Sequence, residues 1–253
     1  MIPVGDFLRR RTTPYVNWTL IAINVAVFVY TVSLSTEPTQ RLGNLVVSQA
    51  DHFVFDWGFV PACVANYFGM STNADPNILS AVCPAKNREP LQLFTSMFVH
   101  GGWAHIFGNV LFLWIFGDNV EDRMGHGRYL VFYLVCGLAA ASVETYMAID
   151  TVLPTVGASG AIAGVLGAYL VLYPTARVQV VIFPLFFLPF FVPAVVLIGF
   201  WFVTQLFSGF AEIASNTTAG SGIAFWAHVG GFIAGVVLVW FFKRKQTRFE
   251  RAW

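Results

Sequence analysis

Residues 157–169 read Gly157-Ala158-Ser159-Gly160-Ala161-Ile162-Ala163-Gly164-Val165-Leu166-Gly167-Ala168-Tyr169. Glycine and alanine at 160, 164, 167 and 168 fall at helical spacing, so one face of a helix starting near Ser159 is almost bare backbone. No Asp, Glu, Lys or Arg occurs between residues 151 and 176, which leaves that helix without a face to offer to water. A second segment, Ala227-His228-Val229-Gly230-Gly231-Phe232-Ile233-Ala234-Gly235, has glycines at 231 and 235 and is also charge-free. In lipid, small residues at this spacing let two helices approach closely. The two stripes point to helix-on-helix packing inside a membrane.

The whole chain agrees. It has 253 residues, 57% of them hydrophobic and 11% charged, with a mean hydropathy of +0.68. Soluble domains carry about 25% charged residues. A net charge of +1 offers no basic face for phosphate, so a nucleic-acid partner is not expected. Disorder and a cytosolic enzyme are excluded on the same composition. The partner implied is the lipid bilayer.

The charge-free stretches predict an all-α polytopic protein with six transmembrane helices, at about 16–34, 93–116, 128–148, 159–174, 180–207 and 224–242. A crossing needs about 20 residues. The alternation over ~10-residue segments that a membrane barrel requires is missing. All of 1–253 reads as one membrane domain, with a long external loop at 35–92. Six spans put both termini on one side. Placing that side in the cytoplasm leaves only Arg41, Lys86 and Arg88 outside among 14 Lys and Arg, a strong positive-inside signal. Cys63 and Cys83 share the external loop and are either a disulfide or two buried thiols; Cys136 reads as packing.

Polar groups inside spans are costly and mark function. Those at the outer ends are His100, His105, Asn109, Ser159 and His228, with Glu144 at the end of the third helix. His105 and Asn109 are four residues apart and share a helix face. Serine is a weak nucleophile until a base takes its proton. His228 is the candidate base for Ser159, as a dyad. Asn109, a His105 N–H and the Ser159 backbone N–H are candidate donors for an oxyanion. His100 reads as a supporting or loop-anchoring group. Gly157, Gly160, Gly164, Gly231 and Gly235 read as packing that brings the helices together. Glu121 reads as structural, capping a helix start and pairing with Arg123 or Arg128.

The stretches His100-Gly-Gly-Trp-Ala-His105-Ile-Phe-Gly-Asn109, Phe116-Gly-Asp-Asn-Val-Glu121-Asp-Arg-Met-Gly125, 157–169 and 227–235 together resemble the rhomboid intramembrane serine proteases of the bacterial six-helix type. The likeness covers most of residues 90–242 in order and spacing. It implies Ser159 as nucleophile, His228 as base, and His105 and Asn109 at the oxyanion hole. Implied substrates are single-pass transmembrane proteins, cut near the outer end of their helix, often after a small residue. The implied setting is a bacterial inner or plasma membrane, and neither cofactor nor metal is implied. The sequence leaves oligomeric state open.

Two departures stand out. Some members carry a tyrosine four residues after the serine that stacks on the histidine, where this chain has Ala163. A Trp-Arg pair of the first external loop is missing. The competing reading is a proteolytically inactive membrane chaperone or binding protein on the same scaffold, which would be marked by loss of Ser159 or His228. Pro184, Pro189 and Pro193 suggest a kinked fifth span acting as a gate beside the second, with 208–223 (Gly209, Gly220, Gly222) as a cap.

Overall fold

The computed structural model describes residues 2–34, 36–42, 45–83, 88–181, 190–215 and 223–244. In chain order the elements are β1 (Ile2–Asp6), α1 (Tyr15–Ser33), β2 (Pro38–Leu42), β3 (Leu45–Ser48), α2 (Gln49–Trp57), α3 (Pro61–Tyr67), α4 (Pro76–Val82), α5 (Glu89–Thr95), α6 (Trp103–Met124), α7 (His126–Met147), α8 (Ser159–Leu172), β4 (Arg177–Val181), β5 (Phe190–Pro193), α9 (Ala194–Ser215) and α10 (Phe225–Phe242).

Among the described residues, four helices are long and apolar enough to cross a membrane: α1, α7, α9 through Ala214, and α10. A fifth span arises if α5 with its 3-10 turn and α6 count as one, although they meet at 80°. The expected span 93–116 is thus shifted: the helix that carries His105 begins at Trp103, after the bend at Gly101 and Gly102, and runs to Met124. α8, at 14 residues, is short.

α8 forms the centre. Gly160 to Tyr169 are all buried, in contact with α6, α7 and α10. Its bare face lies on α10, as the glycine stripes predicted. α1 is held at the rim by polar groups. Asn17 Nδ2 donates to the Leu113 carbonyl at 2.9 Å, and Tyr129 Oη donates to Asn17 Oδ1 at 2.8 Å. The buried Glu121 carboxylate accepts the Val16 and Asn17 N–H groups at 3.1 and 2.7 Å and meets His126 Nδ1 at 2.5 Å. Glu121 is structural, as expected, but it caps α1 and pairs with His126 rather than Arg123 or Arg128.

An exclusively α-helical chain is not what folds. A three-stranded antiparallel sheet, ordered β1-β4-β5, closes one end of the bundle. Asp6 on β1 accepts from Tyr169 Oη at 2.5 Å and from Asn119 Nδ2 at 3.0 Å. The expected span 180–207 therefore starts too early, since 177–181 and 190–193 are strands and the helix runs 194–215. A continuous apolar run satisfies a buried strand as well as a helix, so periodicity there could not separate them. Pro184, Pro189, Gly220 and Gly222 lie outside the described residues. Pro193 ends β5, and Gly209 sits within α9 against Trp226, so the expected 208–223 cap is helical as far as Ser215.

The expected loop at 35–92 is largely structured. β2 and β3 form a hairpin, and α2 to α5 follow. Cys63 and Cys83 are disulfide-bonded with Cα atoms 5.4 Å apart, and Cys136 is free and buried, packing as expected.

Candidate active site

The site is assembled where α8 begins. The connection from α7 is pinned before it reaches the helix. Phe59 and Thr155 exchange backbone hydrogen bonds at 3.2 and 2.7 Å, the Ala62 N–H donates to Thr151 O at 3.0 Å, and the Gly157 N–H donates to Ser96 O at 2.8 Å. Irregular backbone at this depth is tolerated only when its polar groups are satisfied by protein or water. Gly157 has φ +121°, a conformation that favours glycine, and a Cβ there would lie 2.5 Å from His105 Nε2 and 3.6 Å from Asn109 Nδ2. The side chains of α6 therefore sit immediately beside the chain that leads into Ser159.

Ser159 is the first residue of α8, so its N–H belongs to the turn whose donors have no partner within the helix. Its Oγ lies 2.8 Å from His228 Nε2. The two residues are 69 apart in sequence and come from different helices. What holds them is glycine. A Cβ at Gly231 would collide with the Gly160 carbonyl oxygen, and one at Gly235 with that of Gly164. On the other side of α8, a Cβ at Gly160 would lie 2.6 Å from the Ala140 Cβ, and one at Gly164 would lie 2.6 Å from Cys136 Sγ. All four glycines stand at close approaches between helices.

His105 and Asn109 share the face of α6 toward Gly157. Asn109 is buried, and its Nδ2 has no hydrogen-bond partner among the described residues. A buried donor without an acceptor is costly and rare, and this one faces the approach to Ser159. His100 is 1% exposed and packs edge-on to His105, with ring centroids 5.1 Å apart. The Phe98 backbone is the polar group that acts on its ring, which stands in the turn that precedes α6.

Two contributors, Gln205 and Trp201, escape the sequence reading, and Glu144 does more than its place at a helix end suggests. Glu144, at the end of the third predicted helix, is buried, and its Oε2 accepts the Ala227 N–H at 2.8 Å. It caps the start of α10, one residue before His228, where no local side chain does so. Gln205 on α9 places Oε1 2.7 Å from His228 Nδ1. Trp201 on the same helix sets its ring 5.7 Å from the His228 ring. Ala163, where some relatives carry the stacking tyrosine, is fully buried within the bundle, and the aromatic neighbour comes from α9 instead. A signal for Gln205 existed, because Thr204-Gln205 interrupts an apolar run.

Beside Ser159 is a cavity of ≈ 20 Å³ lined by Gly137, Ala140, Gly157, Gly160, Ala161 and Ala227 among others. Phe59 and Met97 also line it, and it has room for about one water molecule.

The family model of the Rhomboid domain matches residues 87–245. Over 171 residues the chain is 28% identical to "Rhomboid protein 1, mitochondrial" of Saccharomyces cerevisiae, covering 64% of this chain and 46% of that protein. It is 42% identical over 79 residues to "Rhomboid protease GluP" of Bacillus subtilis, covering 31% of this chain and 15% of that one. With "Rhomboid protease GlpG" of Salmonella choleraesuis it shares 32% identity over 92 residues, covering 35% and 33% of the two chains. The chain thus spans less than half the length of these curated relatives. The matched region runs from α5 through α10 and contains Ser159, His228, His105 and Asn109; with four helices among the described residues long and apolar enough to cross a bilayer, this is a multi-pass membrane protein, and the chain belongs to the rhomboid family.

Proposed function

We propose that this protein is an intramembrane serine endopeptidase that hydrolyses single-pass transmembrane proteins near the outer end of their helix. The observation that carries the reading is the 2.8 Å contact between Ser159 Oγ and His228 Nε2. That is hydrogen-bond reach for a nucleophile and its base. In this reading His228 Nε2 takes the hydroxyl proton as Ser159 Oγ attacks the scissile carbonyl. On the same reading the oxyanion is met by the Ser159 N–H, the Asn109 amide and a His105 N–H; the support is that Asn109 Nδ2 is a buried donor without a partner among the described residues. His228 then protonates the leaving amine. A water, for which the neighbouring cavity has room, hydrolyses the acyl-enzyme with the same base. The cavity's small volume suits a small side chain at the scissile residue.

The bundle reads as six spans formed by α1, α6, α7, α8, α9 and α10, the whole of 1–253 being one membrane domain with both termini cytoplasmic. Three observations support this. α8 is short because it starts at a loop buried in protein. Lys and Arg are biased toward one side. The Cys63–Cys83 disulfide belongs on an oxidising face. The membrane proposed is the bacterial inner or plasma membrane. A non-proteolytic binding role is disfavoured, since both reacting side chains are present and in contact.

A fluorophosphonate probe tests the assignment on the intact protein in detergent or liposomes. Wild type is expected to be labelled, and Ser159→Ala and His228→Ala to remain unlabelled while folded and membrane-inserted. Equal labelling of wild type and Ser159→Ala would move the nucleophile elsewhere.

A further inference from the structure

We propose that Gln205 is a positioning residue that sets the tautomer of His228 and makes the dyad depend on the docking of α9; this rests on the protease reading above. The amide of Gln205 has a defined orientation. Its Nε2 donates to Thr204 Oγ1 at 3.2 Å and to the Trp201 carbonyl at 3.4 Å, which turns Oε1 toward the imidazole. Thr204 Oγ1 is itself fixed, donating to the Trp201 carbonyl at 2.6 Å and so presenting a lone pair to the amide.

An amide oxygen can only accept. With Oε1 2.7 Å from Nδ1, the ring hydrogen is on Nδ1, and the Nε2 lone pair faces Ser159 Oγ. This is the tautomer in which the imidazole can accept the serine proton. A third group that orients the base is the general arrangement for an activated hydroxyl nucleophile. Here that group is neutral. Glu144 of α7 is engaged with the Ala227 N–H, His105 of α6 lies across Gly157, and Glu212 is two turns further along α9.

α9 is a peripheral helix. Val195, Val196, Phe200, Val203, Phe207 and Phe210 are exposed along it. It is attached to α10 through Phe202, stacked on Phe232 at 4.2 Å, and through Phe210 against Trp226 at 5.2 Å. Gln205 lies between these two contacts. Displacing α9 from α10 therefore removes the acceptor from Nδ1 while Ser159 and His228, held by the α8–α10 glycine seam, stay together.

The experiment is the rate of fluorophosphonate labelling against pH for full-length wild type, Gln205→Leu, Gln205→Glu and Ser159→Ala. Gln205→Leu keeps the volume and removes the acceptor. Its labelling rate is expected to fall about tenfold, the value of one neutral hydrogen bond. Gln205→Glu restores the acceptor with a charge, so labelling recovers and its acid limb moves to higher pH. A merely structural Gln205 would not move that limb. Wild-type rates and limbs in both variants, with Ser159→Ala unlabelled, overturn the role of Gln205 and leave the dyad intact. Labelling of Ser159→Ala overturns the dyad itself. If Gln205→Leu does not fold, Gln205→Glu decides alone, and a profile superimposable on wild type refutes the proposal.

Discussion

Gly231 rests against the carbonyl oxygen of Gly160, so that α10 and α8 touch backbone to backbone. Gly160 follows Ser159 directly, and Gly231 lies three residues, about one helical turn, beyond His228. The contact is the gauge that sets how far the hydroxyl stands from the imidazole. A methyl group on Gly231 would force the helices apart by more than a hydrogen bond can stretch.

Gly231→Ala and Gly235→Ala are accordingly expected to abolish fluorophosphonate labelling and to cost about 1–3 kcal/mol in stability, the usual penalty for overpacking. Gly127→Ala, placed where a Cβ meets nothing within 4 Å, is the control and should leave labelling unchanged. Thermal unfolding in detergent measures the first effect and labelling the second. Wild-type labelling by Gly231→Ala would show that the seam does not set the dyad distance.

Asn109→Ala removes a buried donor that has no ground-state partner among the described residues. Its effect should fall on the transition state. The expectation is a 10²–10³-fold loss of kcat with little change in KM. Cleavage kinetics on a transmembrane substrate in liposomes would decide, and a change confined to KM would place Asn109 in substrate binding instead.

Glu144→Ala takes away the acceptor for the Ala227 N–H and leaves the start of α10 uncapped. Caps of this kind contribute about 1–2 kcal/mol. Glu144→Gln keeps an acceptor oxygen and should stay near wild type. Comparison of the two unfolding midpoints, with labelling rates alongside, separates a cap from a need for charge.

Asp6 ties β1 to the bundle. Burial lifts its carboxyl to about 6; the Tyr169 hydroxyl bond opposes the rise and the Asp118 carboxylate adds to it. The folded value lies above the unfolded one, so the folded state holds a proton between about pH 4 and 6 that the unfolded state has released. Stability therefore falls as pH rises through that window and levels off above it. Hydrogen exchange of residues 2–6 should be slower at pH 5 than at pH 7 after correction for intrinsic rates, and Asp6→Asn should flatten the difference. A wild-type ratio retained in Asp6→Asn would assign the effect to other groups.

The disulfide closes a loop across a separation of 20 residues. Its loss in Cys83→Ser is expected to destabilise the α3–α4 region by roughly 3 kcal/mol on the chain-entropy model. Maleimide labelling of cells with and without reductant checks that the bond forms. Two free thiols in unreduced protein would argue against the orientation proposed.

Chemistry-bearing residues were legible because lipid makes them conspicuous. A histidine or asparagine in an apolar segment has few reasons to be there, and Ser159, His228, His105 and Asn109 do come together around Gly157. The Gly157–Gly167 and Gly230–Gly235 stripes were legible for a related reason, since bare backbone in a span has one common use. Gln205 and Trp201 were passed over because an uncharged polar residue and an aromatic ring are ordinary in a span until a partner is seen. Glu144 reads as interfacial when only its distance from a helix end is known. The stretches 177–181 and 190–193 failed differently, because apolar residues there fit a strand or a helix equally, and only the pairing of β4 with β1 and of β5 with β4 made them strands.

By itself, then, the sequence determined the solvent and the side chains that can do chemistry, because hydropathy and polar placement are local properties. Tertiary structure alone decided the 2.8 Å between Ser159 and His228, the cap from Glu144 and the acceptor from Gln205. Each of these joins residues 23 to 83 positions apart. Contacts across such separations depend on how helices dock, and docking is set by the shapes of whole faces rather than by the identity of any one residue.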